Sequence, residues 1–362
     1  MKGTSRGFSL IEILVVMAIL CIVIMMGSET FMATIKGARR ETASSMTQIE
    51  LTVALNYIRY DVEHAGYGLC RKFMGNIRYE EARDLEISHL NDAPSGIPRP
   101  IISDNNKGMN GSDRLVIKSV LAGTNETCTK WTYVKFGEPP KMWDDAKLRL
   151  KNNERVIVIK PGRGKERIDE LVMDPNGSFF TLFKVEGLGP NFSPKTENER
   201  YIIYGVDPDT NLRMPFNRTD YFIRVPSSGM PSRCAPNTGI LYKATLNHSD
   251  GRFTYLPIMD CVADFQVIFG VDLNGDGLLD SYIDDVSTYD AETLRKRIKE
   301  VRLYILTHIG KKDADYSFNQ DRIYVGEFGK GRELNLPQVL GQTYRNYRWK
   351  IYSVAVQPKN LQ

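Results

Sequence analysis

The chain has 362 residues, 42% hydrophobic, 10% aromatic and 25% charged, which is enough apolar surface for a sizeable core and excludes a disordered or low-complexity chain. Its 48 Lys and Arg against 44 Asp and Glu leave a net charge of +4, spread without a run of five like charges, so a dedicated nucleic-acid arm is not expected. Four histidines are few for a histidine-based metal enzyme, and the length allows one large domain or two ordinary ones.

From Phe8 to Met26 the only strongly polar side chains are Ser9 and Glu12. As a helix this stretch spans about 28 Å, close to the roughly 30 Å hydrocarbon thickness of a bilayer. Lys2 and Arg6 precede it and orient the leader toward the cytoplasm. A secretory signal peptide or a plain signal anchor is the ordinary reading of such a segment. Against it, the apolar run passes through Gly27-Ser28-Glu29 into helix-compatible sequence with no small-x-small break. A carboxylate at the depth of Glu12 also costs roughly 2.5–3.5 kcal/mol on insertion scales and needs a partner.

Gly7-Phe8-Ser9-Leu10-Ile11-Glu12 after a short basic leader resembles the class III signal of type IV pilins and type II secretion pseudopilins. The resemblance implies that a prepilin peptidase cuts after Gly7, that the new N-terminal Phe8 is methylated, and that Glu12 pairs with a neighbouring subunit's N-terminal amine. It also implies a division into a leader over residues 1–7, a membrane-spanning part of the helix over 8–27, a periplasmic part over 28–65 and a head over 66–362.

No proline occurs before Pro94, so one helix is expected from Phe8 to His64, stopped by Gly66 and Gly68. Between Met46 and Val62 it carries two apolar stripes. Met46, Ile49, Val53, Tyr57 and Tyr60 form one, and Leu51, Leu55, Ile58 and Val62 lie nearly opposite. Two stripes predict burial on both sides: one against the protein's own sheet, the other against a flanking loop or a neighbouring subunit's helix.

After Cys70 short β-branched and aromatic runs alternate with Gly, Asn, Asp and Pro, the texture of antiparallel sheet. Strands are expected at Arg114–Val120, Trp131–Lys135, Arg155–Ile159, Phe179–Val185, Tyr201–Tyr204, Tyr221–Val225, Gly239–Asn247, Val262–Val271, Glu300–Thr307 and Tyr347–Val356. Arg83–Lys107, with three prolines, reads as a loop or insertion, and Phe136–Arg149 fits no element. Cys21 lies in the apolar run as a small filler, whereas Cys70, Cys128, Cys234 and Cys261 form an even set that fits an oxidising compartment. Three pairings are open. Sequence proximity favours Cys234 with Cys261, which leaves Cys70 with Cys128; free or intermolecular thiols are the alternative.

Asp272-Leu273-Asn274-Gly275-Asp276-Gly277-Leu278-Leu279-Asp280 places oxygen side chains at alternate positions, as in the first half of an EF-hand calcium loop. Asp272, Asn274, Asp276, the Leu278 carbonyl and Asp280 are the candidate ligands of a structural calcium ion within an acidic loop over 271–285. Ile283 stands where the bidentate glutamate belongs, with Asp284 as the late ligand. Asn-Gly and Asp-Gly are also common hairpin turns, so a solvated turn is the competing reading. No nucleophile, histidine or phosphate loop accompanies these carboxylates, and no catalytic residues are expected. His64, His89, His248 and His308 share no ligand spacing and read as structural. The aromatic and basic run Tyr344–Lys350 reads as a two-faced strand rather than a nucleic-acid surface.

Ile58-Arg59-Tyr60-Asp61-Val62-Glu63-His64-Ala65-Gly66-Tyr67-Gly68, the Asp260–Val267 strand that leads into the acidic loop, and Tyr347–Ser353 together resemble the PilW type of minor pilin, in that order. The resemblance hardly touches the region from about 71 to 232, which reads as a variable insertion. It implies an α+β, type IV pilin-like fold, with a long N-terminal helix packed on an antiparallel β-sheet head. It implies a non-enzymatic subunit that helps initiate pilus assembly and sits in the tip complex. The implied partners are other minor pilins, the major pilin, the inner-membrane assembly platform and a large tip adhesin. The implied location is the bacterial inner membrane, head in the periplasm, and then the pilus tip. Two alternatives keep the same anchor: a J-type pseudopilin of a type II secretion system, and a pilin-anchored adhesin or DNA-binding tip protein.

Overall fold

The computed structural model describes residues 9–162 and 168–361; the expected processing pair, Gly7 and Phe8, lies outside the described residues. Helix α1 runs from Leu10 to Glu63, as the proline-free sequence predicts. The chain divides into two compact units, residues 1–49 and 50–362.

In the first unit, Leu10–Met32 is long and apolar enough to cross a membrane. Its large apolar side chains are exposed all round the helix, which in the absence of a protein shell is the pattern of a lipid-facing span. Farther along, the Thr30, Thr34 and Thr42 hydroxyls donate to carbonyls one turn back, so these polar groups are satisfied within the helix.

The second unit opens with the last turns of α1. The helix stops in a turn where Gly66 and Gly68 have φ of +82° and +71°. At Gly68 a Cβ would stand 2.6 Å from Val120 Cγ2, so only glycine combines this backbone with this close approach.

The head contains β1 (Lys72–Phe73), β2 (Ile101–Asp104), β3 (Arg114–Ser119), β4 (Trp131–Lys135), β5 (Arg155–Lys160), β6 (Glu170–Leu171), β7 (Thr181–Leu182) and β8 (Arg200–Asp207). There follow β9 (Asn217–Arg224), β10 (Gly239–Leu246), β11 (Phe253–Val271), β12 (Ser281–Ile283), α2 (Ala291–Arg297), β13 (Ile298–Ile309), β14 (Arg322–Glu327), β15 (Lys330–Asn335), α3 (Leu336–Leu340) and β16 (Arg348–Val356). The larger sheet has the order β16-β13-β11-β10-β9-β3-β2, with β12 on β11; the smaller has β1-β6-β5-β8-β4, with β7 on β5. Every pairing is antiparallel except β1 with β6.

Side-chain alternation along the strands divides the core. Leu115, Ile117, Phe265, Val267, Phe269, Leu303 and Ile305 face the helix residues Leu51, Ala54, Ile58 and Val62. Val116 and Ile102, on the other face, join Ile157 and Ile159 of the smaller sheet. Ile268, Tyr304 and Leu306 meet Val325 and Leu334 of the β14–β15 hairpin.

Several elements depart from expectation. The supposed loop 83–107 contains a 3-10 turn at Leu85–Leu90 and the edge strand β2. Phe179–Val185 forms only the short β7, because Phe179 and Phe183 are buried in two different clusters. β11 begins at Phe253 rather than Val262, passing through Pro257 beside the register shift between Leu241 and Tyr242, where the missing N–H is tolerated.

Candidate assembly surface and acidic loop

Glu12 lies in the first turn of α1, where its Oε2 accepts a hydrogen bond from the Ser9 N–H at 2.9 Å. This satisfies one free donor of the helix start and sets the carboxylate against the positive end of the helix dipole. It supplies no counter-ion: no Lys or Arg occurs from Phe8 to Met32.

Within the second unit the two apolar stripes separate cleanly. Ala54, Ile58 and Val62 are fully buried and Leu51 nearly so. Val53, Tyr57 and Tyr60 remain 46%, 45% and 46% exposed. The head touches this stripe through Lys243, whose Nζ stands 5.6 Å from the Tyr57 ring centre, and otherwise leaves the three side chains half exposed.

Ion pairs fix this part of the helix. The buried Asp61 carboxylate accepts from the Tyr221 hydroxyl at 2.6 Å and lies 2.6 Å from Lys243 Nζ. Burial pushes its carboxyl above the ordinary value, against the pull of the Lys243 ammonium. Arg233 reaches Glu50 at 2.7 Å and Asp260 at 3.0 Å, and Lys359 closes the far end on Glu63 at 3.0 Å. Hydrogen bonds from Arg59 and Lys359 hold the Glu63 carboxyl below its usual range. Sequence reasoning missed these pins. The one visible signal was Asp61 itself, a carboxylate beside the buried positions Ile58 and Val62.

Cys234 and Cys261 form a disulfide, with an S–S distance of 2.03 Å, between the segment before β10 and the middle of β11. The companion pair is corrected: Cys70 and Cys128 are both buried free thiols. They face different surroundings. Cys70 lies near Arg295 and Asp169, and burial pushes its thiol up to about 12. Cys128 lies near Lys243 and Asp61, its Sγ 2.9 Å from the Asn125 carbonyl and its thiol pushed by burial to about 11. His248 and His308 are buried inside the head, consistent with structural roles.

The acidic loop follows β11 as a chain of side chain to backbone turns. Asp272 accepts from the Gly275 and Gly277 N–H groups at 2.6 and 2.8 Å. Asn274 Oδ1 accepts from the Asp276 N–H, and Asp276 Oδ1 from the Leu278 N–H. Asp280 Oδ2 accepts from the Leu273 and Asn274 N–H groups. Gly277, with φ of +89°, supplies the left-handed turn. Burial raises the Asp272 pKa, but the hydrogen bonds from Gly275 and Gly277, and then the Lys299 ammonium, outweigh it and hold the carboxyl below its usual range.

Among the described residues no three His, Cys, Asp or Glu side chains gather as a metal site. Asp284 departs from the expected ligand set: its Oδ2 turns to the Gly331 N–H on the β14–β15 hairpin, at 3.5 Å. The Asn274 amide nitrogen stands 3.2 Å from Asp276 Oδ2 and 3.4 Å from Asp280 Oδ1, where a cation would otherwise balance two carboxylates. The all-oxygen donor set suits a hard cation.

Comparison with known families adds a match at each end. Residues 2–28 match the prokaryotic N-terminal methylation motif, and residues 220–360 match the family described as type IV pilus-assembly protein W. No curated protein is significantly similar to the chain. Among solved structures, a type IV-like pilin from Thermus thermophilus is similar over 41% of this chain and 70% of its own, at 14% identity and a TM-score of 0.23. The methylation motif falls on the start of the apolar N-terminal helix, and the antiparallel head follows that helix in the chain. The similarity to type IV pilus-assembly protein W is confined to residues 220–360, and the similarity to the methylation motif to residues 2–28.

Proposed function

We propose that this chain is a type IV pilus minor pilin of the PilW type, which joins other minor pilins in a membrane complex that initiates the pilus and then remains at its tip. The carrying observation is the exposed stripe Val53, Tyr57 and Tyr60 on a helix whose opposite face is locked to the head. Exposed aromatic and β-branched side chains at helical spacing suit packing against another subunit's helix. Glu12, which among the described residues has a hydrogen bond but no counter-ion, would find one in the N-terminal amine that processing creates on a neighbour. The head would then face the periplasm and, after assembly, the cell exterior, where it would meet the major pilin and a large tip adhesin. In this reading the protein's work is assembly and involves no catalytic step.

A strain lacking the protein should lose surface pili, and the doubly substituted Val53→Arg, Tyr57→Glu protein should be processed and folded yet fail to co-purify with the other minor pilins. Normal pili with lost secretion would point instead to a type II secretion pseudopilin. Normal pili with lost binding of a ligand would point to a pilin-anchored adhesin.

The acidic loop carries a second proposal, a structural calcium ion held by Asp272, Asn274, Asp276, Asp280 and the Leu278 carbonyl. The placement of the Asn274 amide between two carboxylates supports it, and an extracellular calcium pool would suit a loop of this kind.

A further inference from the structure

The head contains a cleft of about 750 Å³ between the 3-10 turn Leu85–Leu90 and the edge of the larger sheet at β2 and β3. The filament reading does not use it, and the acidic loop over 271–285 reaches it only through its last residue, Asp285. Its size falls within the range of small-molecule sites.

Two polar atoms in the wall of the cleft lack hydrogen-bond partners and are closed to solvent. Ser103, only 1% exposed, has an Oγ with no hydrogen bond. Arg114, whose side chain is 15% exposed, has a buried Nε with none; Asp220 Oδ2 is 3.3 Å away but makes no hydrogen bond with it. The guanidinium stacks on Phe222 at 3.8 Å from the ring centre, which fixes its plane.

Arg114 also ends a network of buried ion pairs. Arg99 and Lys118 share Asp92, Lys118 and Arg218 share Glu81, and Arg218 and Arg114 share Asp220. Four cations therefore meet three carboxylates within this network, and Asp84 attracts Arg114 from outside it. A mostly buried guanidinium left short of hydrogen bonds is costly, and a carboxylate is the group its planar fork fits best.

Lys107 adds a second cation at the cleft, while Glu86 and Asp285 also line it, and Asp104 is paired with His89 at 3.0 Å. These carboxylates repel a polyanion and accept hydrogen bonds. The Asn105 amide can both donate and accept, as a sugar hydroxyl does.

We propose that this cleft binds a sugar acid: its single carboxylate meets the guanidinium of Arg114 and the ammonium of Lys107, and its hydroxyls meet Asn105, Glu86 and Asp285. The full chain in detergent should bind sodium D-glucuronate saturably by calorimetry, with at least tenfold weaker binding of D-glucose, which has the ring and hydroxyls without the carboxylate. Arg114→Gln should weaken glucuronate binding at least tenfold. Lys107→Ala, at an exposed position that folding does not need, should weaken it severalfold. No saturable glucuronate binding, equal binding of glucose, tighter binding of L-glutamate, or unchanged affinity in Lys107→Ala would each overturn the assignment.

Discussion

The two ends of α1 solve the same problem differently. Leu10–Met32 is apolar on all sides and finds no protein cover in its own unit, whereas the stretch from Glu50 to Glu63 buries one stripe in the head and leaves the other open. A lipid solvent satisfies the first kind of surface, since it accepts apolar side chains in every direction. Water satisfies the second only in part. The difference teaches that the head-bound turns are specified on one face by the protein's own core, with the opposite face left half exposed. The buried pair Asp61–Lys243 and the Arg233 bridge sharpen that division, because they fix which face points inward.

The largest way to break the comparison acts at the membrane end. Replacing Gly7 with a larger residue should leave the whole population as uncut precursor, because the only processing signal in the chain precedes Phe8. Intact-mass analysis of membrane-extracted wild-type protein should show a chain starting at Phe8 with one added methyl group. A start near Gly27 or Ser28 would mean ordinary signal-peptide cleavage and remove the membrane-spanning part of the account. Glu12→Ala should be processed and inserted normally yet fail to enter the complex.

The next test sets one face of the helix against the other. Ile58 is fully buried among the core residues of the larger sheet, so Ile58→Ala should destabilise the head by about 2–5 kcal/mol, the range for emptying a buried aliphatic position. Val53→Ala, on the exposed side, should change stability by less than about 0.5 kcal/mol. Denaturant unfolding of the two variants reads the contrast directly, and similar losses in both would dissolve the distinction between the faces.

A third test asks how the head responds to acid. His248 Nδ1 accepts from the Arg213 N–H at 3.2 Å while Nε2 faces Asn217 Oδ1 at 3.1 Å, an arrangement that suits a neutral ring. His308 Nε2 accepts from the Ala235 N–H at 3.0 Å. Burial lowers both histidines to about 4, with Arg213 and Arg233 adding to the effect in turn. Between pH 6.5 and about 4 the unfolded chain therefore binds more protons than the folded one. The stability these rings contribute is complete above pH 6.5 and is lost as pH falls toward 4, by up to about 3 kcal/mol for each.

Asp113 tilts the profile the other way, since burial raises its carboxyl to about 7 against the hydrogen bonds from Asn106 and Val267. A variant therefore makes the better comparison than a single curve. His248→Gln should flatten the loss of stability between pH 6.5 and 4, and an unchanged slope would mean that this ring titrates normally.

These tests also mark what could be read from residues alone. The membrane end was legible because Phe8–Met26 is apolar without any competing period, and the strands at the centre of the larger sheet were legible because their side chains alternate between two cores. The β14–β15 hairpin was not. Only Ile323, Val325 and Leu334 face its core, and the turn runs through Phe328 and Gly329 among charged residues. β2 was hidden by Pro98 and Pro100, which give the segment the texture of a loop although the chain pairs with β3 immediately afterwards.

In the functional region, local spacing found the acidic loop and proximity chose Cys234 and Cys261. It could not reveal that Cys70 and Cys128 face different charged groups, or that Lys243 meets an aspartate far away in sequence. Contacts of that kind depend on topology, and no periodicity in the chain encodes them.

The smallest expected effect concerns the acidic loop, which lies at the end of the strand that packs against the helix. If Asp272, Asn274, Asp276, Asp280 and the Leu278 carbonyl take up calcium, an ion that binds only the folded state adds RT ln(1 + [L]/Kd), about 2.7 kcal/mol at a hundredfold excess over Kd. The protein should then melt several degrees higher in millimolar calcium than in a chelator. Asp276→Ala should remove the difference, because it deletes both a ligand oxygen and a charge. Asp284→Ala should leave the difference intact, since that carboxylate faces Gly331 rather than the other oxygens. Ile58→Ala should lower both melting temperatures together and preserve the gap, which would show that the loop contributes independently of the helix face. Equal melting temperatures with calcium and with chelator in the wild type would make the loop a turn held by its own side chain to backbone hydrogen bonds, with the Asn274 amide serving where the cation was proposed.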